Sequence, residues 1–359
     1  MKVGIYTPYL DSFGGGERYM LTIAQILSAS NKVDLLIDKH HLSLDPQNLV
    51  FELGKRFNLN LKDINLSVIP TGRITSFVQR LFFLKKYDLL IYLTDGSVFY
   101  STAKKNILHF QVPFKNKAAK NIWGRLKLSS WGLAVCNSKF TQGSINKEWP
   151  IKTAVLYPPV GVEKIKPLVK QKYILSVGRF ASFSKSKKHE VMIKAFVNLA
   201  KLQNIKDWSL HLVGSVEGDK SYLDELKQLA GGAPIFFYPN YPFEDLVKLY
   251  GQASIYWHAA GFGEEDPAKM EHFGISVVEA MAGGSVPVVI NKGGLKETVE
   301  DGKTGLFWNT EEELENLTLK LINTPQLLID MSEQAIIESQ KFSLKNFEKT
   351  LSGILNNLS

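Results

Sequence analysis

The chain has 359 residues, of which 45% are apolar and 22% charged, an ordinary globular composition that excludes a disordered, collagen-like or repeat protein. A single cysteine, Cys136, excludes an internal disulfide, and no apolar run approaches the roughly 20 residues that span a bilayer. The net charge of +8 favours anionic partners such as phosphates or an anionic membrane surface, and no nucleic-acid-binding motif accompanies it.

Short apolar runs alternate with amphipathic, helix-like stretches along the first part of the chain. The runs cover residues 2–6, 33–37, 66–69, 88–93, 106–110 and 133–136. Continuous apolar strands are typical of a parallel sheet that is covered on both faces. Their alternation with helices predicts a doubly wound α/β domain.

Two adjacent prolines, Pro158 and Pro159, interrupt this pattern, because paired prolines continue neither a helix nor a central strand. Residues 164–172 are interpreted as a polar linker, and a second series of strands covers 173–177, 210–213, 235–237, 254–257 and 286–290. The sequence therefore predicts two doubly wound, Rossmann-like domains, residues 1–158 and 159–341, and a helix over 342–359 that could cross back. Ligands bind at the carboxyl ends of parallel strands, so the domains are expected to face each other across a deep cleft.

Three glycines follow the first strand, and we single out Gly15 and Gly16. Glycines at this position let the backbone approach a ligand closely and begin a helix. The run lacks the third glycine of a dinucleotide-binding loop, which argues against a nicotinamide dehydrogenase. His109 ends a later strand, where a lone histidine is more often structural than catalytic.

A group of cations follows the first strand of the second domain. Arg179 comes directly after the strand, and Lys185, Lys187 and Lys188 follow within nine residues. Fixed cations at a strand end would stabilise the negative charge that develops on a departing diphosphate. For each lysine, an ordinary solvated loop is the alternative.

Two carboxylates, Glu271 and Glu279, flank a glycine, Gly274. In a continuous helix they would lie about 12 Å apart, comparable to the reach from a sugar across a diphosphate to a ribose. A helix that begins after Gly274 would also offer free N–H groups to an anion. The alternative is an acidic helix start that serves only the helix dipole.

Together these segments resemble retaining glycosyltransferase family 4, which has the GT-B fold. The E-x7-E signature of that family is matched by EHFGISVVE at 271–279, and NSKFT, YPPV and SVGRF at 137–141, 157–160 and 176–180 lie in the family's order. The HFG variant of the signature is most similar to the α-1,2-mannosyltransferases that extend lipid-linked oligosaccharides.

The resemblance implies a retaining hexosyltransferase that uses neither a cofactor nor a metal. It would move a sugar, with mannose favoured, from a nucleotide diphosphate to a glycan or lipid-linked acceptor in α-linkage. A UDP-glucose, UDP-galactose or UDP-GlcNAc donor is an alternative, as is a non-catalytic relative that only binds sugar nucleotides.

The resemblance also implies roles for individual residues in binding the donor and stabilising the leaving group. Glu271 would contact the sugar hydroxyls, and Glu279 would contact the ribose. Backbone amides of Phe273, Gly274 and Ile275 would bind the sugar and the distal phosphate, and backbone near Tyr241 would contact the base. Arg179 with Lys188, or with Lys187 or Lys185 instead, would stabilise the leaving phosphate. Gly15 and Gly16 would lie beside the diphosphate, and His109 would contact the sugar's 6-hydroxyl.

Three adjacent acids, Glu264, Glu265 and Asp266, are interpreted as a solvated loop, because their side chains cannot all point to one metal ion. His258 and His272 receive no role. Two basic, aromatic segments, residues 73–86 and 115–131, have the composition of helices that lie on anionic membranes, although ordinary helices packed on the sheet are the slightly favoured interpretation of each. The predicted location is the cytoplasm, with contact at the inner face of the cell membrane.

Overall fold

The computed structural model describes residues 1–8, 10, 14–38, 46–70, 74–116, 121–218 and 220–358. Their contacts divide the chain into two compact units. The first comprises Met1–Pro159 together with Phe347–Ser359, and the second comprises Val160–Asn346. The sequence prediction had placed these limits after residues 158 and 341.

The first unit contains a seven-stranded parallel sheet in the order β3-β2-β1-β4-β5-β6-β7. Its strands are β1 Lys2–Tyr6, β2 Lys32–Ile37, β3 Ile64–Val68, β4 Leu89–Leu93, β5 Lys105–Phe110, β6 Leu133–Cys136 and β7 Thr153–Val155. Six of them were predicted. The seventh was not, because β7 has only three residues, all half-buried at the sheet edge.

Five helices connect these strands: α1 Gly15–Ser28, α2 Pro46–Phe57, α3 Ile74–Leu84, α4 Ile122–Ser129 and α5 Lys139–Glu148. Crossovers between parallel strands are right-handed, so the direction of each crossover decides which face of the sheet its helix covers. Helices α1 and α2 lead towards β3 and cover one face, whereas α3, α4 and α5 lead towards β7 and cover the other. Leu84, Leu128 and Ile145 anchor these last three helices in one buried cluster.

The second unit contains a six-stranded parallel sheet in the order β12-β10-β8-β13-β14-β15, and a two-stranded sheet of β9 and β11. Its strands are β8 Gln171–Val177, β9 Phe180–Ala181, β10 Ser209–Gly214, β11 Val216–Glu217, β12 Ile235–Pro239, β13 Ala253–His258, β14 Val286–Ile290 and β15 Leu306–Trp308. All five predicted strands of this series are present. The prediction of doubly wound α/β domains is confirmed in both units.

Among the described residues, seven further α-helices follow: α6 His189–Leu199, α7 Ser221–Ala230, α8 Phe243–Gln252, α9 Ile275–Ala282, α10 Glu311–Asn323, α11 Pro325–Ser339 and α12 Leu344–Asn356. Most of α12 belongs to the first unit, where Phe347 packs edge-on against Tyr19 with ring centroids 5.3 Å apart. Across the described part of the chain, no helix combines the length and the apolar content needed to cross a bilayer.

The stretch predicted as a polar linker is wrong at its carboxyl end, because β8 already begins at Gln171. Lys170 is tied to the second unit by its ammonium group, which donates to the carbonyl oxygens of Gly251, Ala253 and Gly283 at 2.9, 2.9 and 2.5 Å. Gly283 ends α9, where the helix dipole favours a cation. Lys170, directly before β8, therefore links the start of β13 to the end of α9.

Candidate active site

A carboxylate held by two basic side chains lies at the carboxyl end of the second sheet. The Nζ atom of Lys187 lies 2.6 Å from Oε2 of Glu271, and Nε2 of His258 lies 3.1 Å from the same oxygen. His258 is the last residue of β13, Lys187 precedes α6, and Glu271 precedes α9. Three separate elements therefore place one cluster at the strand ends, where doubly wound sheets bind ligands.

The electrostatics of this cluster keep Glu271 ionised. Burial alone would raise the pKa of Glu271, but Lys187 and His258 hold it well below its ordinary range. Burial lowers the pKa of His258, against the opposing effect of Glu271. The Nδ1 atom of His258 is buried without a hydrogen-bond partner among the described residues, so the neutral ring donates through Nε2–H to the carboxylate.

Glycines bring the backbone of this cluster into close contact. A Cβ atom on Gly294 would lie 2.0 Å from the carbonyl oxygen of His272, and the Gly294 amide donates to the Glu271 carbonyl at 2.8 Å. A Cβ atom on Gly178 would lie 2.7 Å from Cγ of Lys187, so the lysine stem crosses the end of β8 where no side chain intervenes. Gly294 and Gly178 therefore help to position Glu271 and Lys187.

Helix α9 begins at Ile275, directly after Gly274, as the sequence predicted. The backbone of Gly274 is left-handed at φ +94°, and no side chain caps the helix. Its first amides are therefore available to an anion. Phe273, just before the turn, is buried with its ring edge-on to Phe342. Ile275, the first helical residue, is half-buried.

The second carboxylate of the signature lies within this helix. Glu279 is buried, and its Oε2 accepts from the hydroxyl of Tyr250 at 2.9 Å. Glu271 lies outside the helix, so the 12 Å separation expected for one continuous helix does not apply.

The neighbouring lysines have other carboxylate partners. Lys188 lies 2.7 Å from Glu264, and this lysine lowers the pKa of the Glu264 carboxyl group. The exposed Lys185 lies 2.7 Å from Glu225. The interpretation of residues 264–266 as a solvated loop was therefore wrong for Glu264, whose side chain is only 23% exposed. The structure brings Lys187, rather than Lys188, to Glu271.

Two further predicted residues of the second unit lie at loop positions. Arg179 is exposed between β8 and β9, as expected for a residue that follows a strand. Tyr241 follows the left-handed Asn240 after β12, and its ring lies edge-on to Tyr238 with centroids 4.9 Å apart.

The residues predicted in the first unit also lie close together. Gly15 and Gly16 begin α1, and a Cβ atom on Gly16 would meet Gln111 at an ordinary 3.6 Å. The Nε2 atom of Gln111 lies 2.7 Å from Nε2 of His109, whose ring is fully buried and stacks on Tyr19 at 4.2 Å. Gly16 and His109 therefore share Gln111 as a common neighbour.

Hydrogen bonds in this group fix the protonation state of His109. The side-chain amide of Asn137 donates to both the carbonyl and the Oε1 atom of Gln111 at 3.0 Å, so the Gln111 NH2 group must face His109. Burial lowers the pKa of His109 to about 3, and its Nε2 is an acceptor. The ring is therefore neutral at physiological pH and is suited to positioning rather than proton transfer.

No role was predicted for His258, Glu264, Gln111 or Asn137. For His258 a signal existed, because it is a polar residue at the end of a largely apolar strand, as His109 is. Gln111 follows His109 by two residues and comes directly after β5. Glu264 carries no such signal, since only its spatial neighbour Lys188 distinguishes it from the acids beside it.

Comparison with known proteins identifies the second unit. Residues 162–338 match the family of glycosyl transferases group 1. The second unit therefore carries a group 1 glycosyltransferase domain. The transferase is 28% identical over 230 residues to the GDP-Man:Man(3)GlcNAc(2)-PP-Dol alpha-1,2-mannosyltransferase of Xenopus laevis, a match that covers 59% of this chain and 46% of the frog protein. The chain thus spans about half the length of that relative.

Two other proteins match the transferase over nearly its whole length. An uncharacterized glycosyltransferase of Haemophilus influenzae is 26% identical over 383 aligned positions, which cover 99% of each chain. A glycosyltransferase structure from Rickettsia africae superimposes with a TM-score of 0.77 at 18% identity, covering 99% of this chain and 98% of the other. The predicted GT-B fold is confirmed by such neighbours.

Proposed function

We propose that this transferase moves a hexose from a nucleotide diphosphate to a glycan or lipid-linked acceptor, with retention and an α-linked product. The observation that carries the proposal is the ionised Glu271, held by Lys187 and His258 four positions before Ile275, the first residue of α9. A fixed carboxylate suits sugar hydroxyls, and a free helix start suits a phosphate. A group suited to the sugar and a group suited to the phosphate of a nucleotide sugar thus lie within four residues of each other in the sequence.

The second unit binds the donor in this proposal. Glu271 accepts from hydroxyls of the sugar, the amides of Phe273, Gly274 and Ile275 contact the sugar and the distal phosphate, and Glu279 accepts from the ribose. The base contacts backbone near Tyr241, and Gly15 and Gly16 of the first unit lie near the diphosphate.

Cations stabilise the leaving group. As the glycosidic bond breaks, negative charge accumulates on the departing diphosphate, and Arg179 and Lys187 offset that charge. Lys188 is available in the same role if it exchanges Glu264 for a phosphate. Because fixed cations and a helix start supply the positive charge, we expect no metal requirement.

The acceptor binds to the first unit, and the leaving phosphate oxygen takes its hydroxyl proton. The neutral state of His109 supports a positioning role for this residue. Mannose and GDP are favoured because the Xenopus laevis relative is named for a GDP-mannose donor. A lipid-linked acceptor would place the reaction at the cytoplasmic face of the membrane.

Product analysis tests the proposal. The full-length protein is incubated with GDP-mannose, UDP-glucose, UDP-galactose or UDP-GlcNAc and a synthetic alkyl mannoside, in EDTA and in magnesium. We expect transfer from GDP-mannose, equal rates in both buffers, and an α-anomeric product by NMR. A β-linked product would contradict the proposed retention of configuration. Transfer from a UDP-sugar but not from GDP-mannose would contradict the proposed donor. Binding of a sugar nucleotide with neither transfer nor hydrolysis would favour the non-catalytic alternative.

A further inference from the structure

Two helices of the first unit expose large apolar side chains. Between 39% and 78% of each of these side chains is accessible to solvent, and they are Phe77, Val78 and Phe82 on α3 and Ile122, Trp123 and Leu126 on α4. Single exposed apolar residues are ordinary, whereas a cluster of them marks an interaction surface. We name this cluster the aromatic face.

Helices α3 and α4 present this face on the same side of the first unit. Both belong to crossovers that lead towards β7, so they cover the same face of the sheet. The loop that follows β4 joins them: Thr102 donates to the carbonyl of Leu81 in α3, and Ser130 after α4 accepts from the amide of Ser101 at 3.0 Å. The same loop thus contacts both helices.

Only positive charge surrounds the aromatic face within its two segments. Residues 76–86 and 121–131 contain no aspartate or glutamate, and their cations are Arg80, Lys85, Lys86, Arg125 and Lys127. The Nζ atom of Lys86 lies 3.9 Å from the ring centroid of Phe83. The aliphatic part of this lysine therefore packs along an aromatic ring, while its charge stays at the edge of the aromatic face. This combination complements a surface that is anionic outside and apolar within.

We propose that the aromatic face docks the protein onto an anionic lipid bilayer. Trp123 and Phe82 enter the headgroup region, and Arg125, Lys127 and Lys86 contact lipid phosphates. At 11 and 8 residues, α3 and α4 are too short to span a bilayer and lie in its interface. The proposal rests on the first unit alone and holds whether or not the proposed sugar transfer is correct.

Vesicle flotation of the full-length protein tests this surface. We expect binding to vesicles of phosphatidylcholine with phosphatidylglycerol but not to phosphatidylcholine alone. Binding should weaken with salt, because the screening length falls from about 10 Å at 0.1 M to about 3 Å at 1 M. The double variant Arg125→Gln/Lys127→Gln should bind about 25-fold more weakly, on the order of fivefold for each cation. Phe82→Ser/Trp123→Ser should lose at least ~10-fold.

Phe51→Ser is the matched control, because Phe51 is 65% exposed on α2, on the opposite face of the sheet. It should bind like the parent protein, and circular dichroism should show all variants folded. Equal binding to neutral and anionic vesicles would overturn the proposal, as would full binding by a folded Phe82→Ser/Trp123→Ser variant. A lipid-free dimer that Trp123→Ser dissociates would instead assign this face to a second copy of the chain.

Discussion

Lys187 and Glu271 form an ion pair with 2.6 Å between Nζ and Oε2, although 84 positions separate them in the chain. Both side chains are largely buried, so each neutralises a charge that would otherwise be costly to desolvate. The pair therefore links the stability of the second unit to the charge state of its proposed sugar-binding acid.

Lys187→Met should destabilise the protein by about 2 kcal/mol at pH 7, because it leaves Glu271 charged and partly buried. Urea unfolding followed by tryptophan fluorescence measures this loss. The charged carboxylate of the parent protein contributes stability above the unfolded-state pKa of about 4.3, and this contribution is lost as the pH falls below it. In the variant, burial raises the pKa of Glu271, so the difference between the two proteins should shrink towards pH 4.

The double variant Lys187→Met/Glu271→Gln is the control for this pair. It removes both charges while keeping the shapes of the side chains, and it should recover most of the lost stability. Additive losses from the two substitutions would show that the pair is not energetically coupled.

His258→Phe should lower kcat by on the order of 10- to 100-fold, a size typical of removing a group that orients a functional side chain. The variant loses the hydrogen bond that holds Oε2 of Glu271, so the pKa of Glu271 should rise and the acid limb of the rate profile should move to higher pH. Steady-state kinetics between pH 4 and 8 measure both effects. His211→Phe, which alters a buried histidine that pairs with Ser209 and Tyr238, is the control and should leave the profile in place.

Gly274→Ala should weaken donor binding and destabilise the second unit by roughly 1–3 kcal/mol. The new Cβ atom would lie 2.7 Å from Leu295 and would occupy a backbone at φ +94°. Gly302→Ala separates these effects, because Gly302 also has a positive φ of +73° but open space around its Cβ position. Calorimetric titration with GDP measures binding, and wild-type affinity in Gly274→Ala would contradict the proposed phosphate site.

Lys170→Met should cost about 3 kcal/mol, because the carbonyl oxygens of Gly251, Ala253 and Gly283 all lose their hydrogen-bond donor. Thermal unfolding measures the loss. Lys166→Met, at an exposed position four residues earlier, should change the stability by no more than about 0.5 kcal/mol. Similar small effects in both variants would show that the three bonds contribute little.

The two doubly wound sheets could be predicted because their strands are buried on both faces and leave continuous apolar runs in the sequence. The edge strands β7 and β15 could not, because three residues are too few to establish a period. Strand length and burial, rather than position in the fold, decided which strands the sequence revealed.

Within the candidate site, the strand-end position of Arg179 and the helix start after Gly274 could be predicted from local patterns. The partners of adjacent lysines could not. The backbone of Lys188 is left-handed at φ +54°, so the neighbouring side chains of Lys187 and Lys188 reach different carboxylates. That divergence depends on tertiary contacts with Glu264 and Glu271, which no local pattern encodes.

The return of Phe347–Ser359 to the first unit has a consequence for biosynthesis. Tyr19 rests against Phe347, yet the ribosome must translate the whole of Val160–Asn346 before Phe347 is made. At typical elongation rates this interval is on the order of tens of seconds. The earlier-made unit is thus the later one to complete its fold, and during this delay a nascent chain leaves the Tyr19 side of its first sheet open to chaperones.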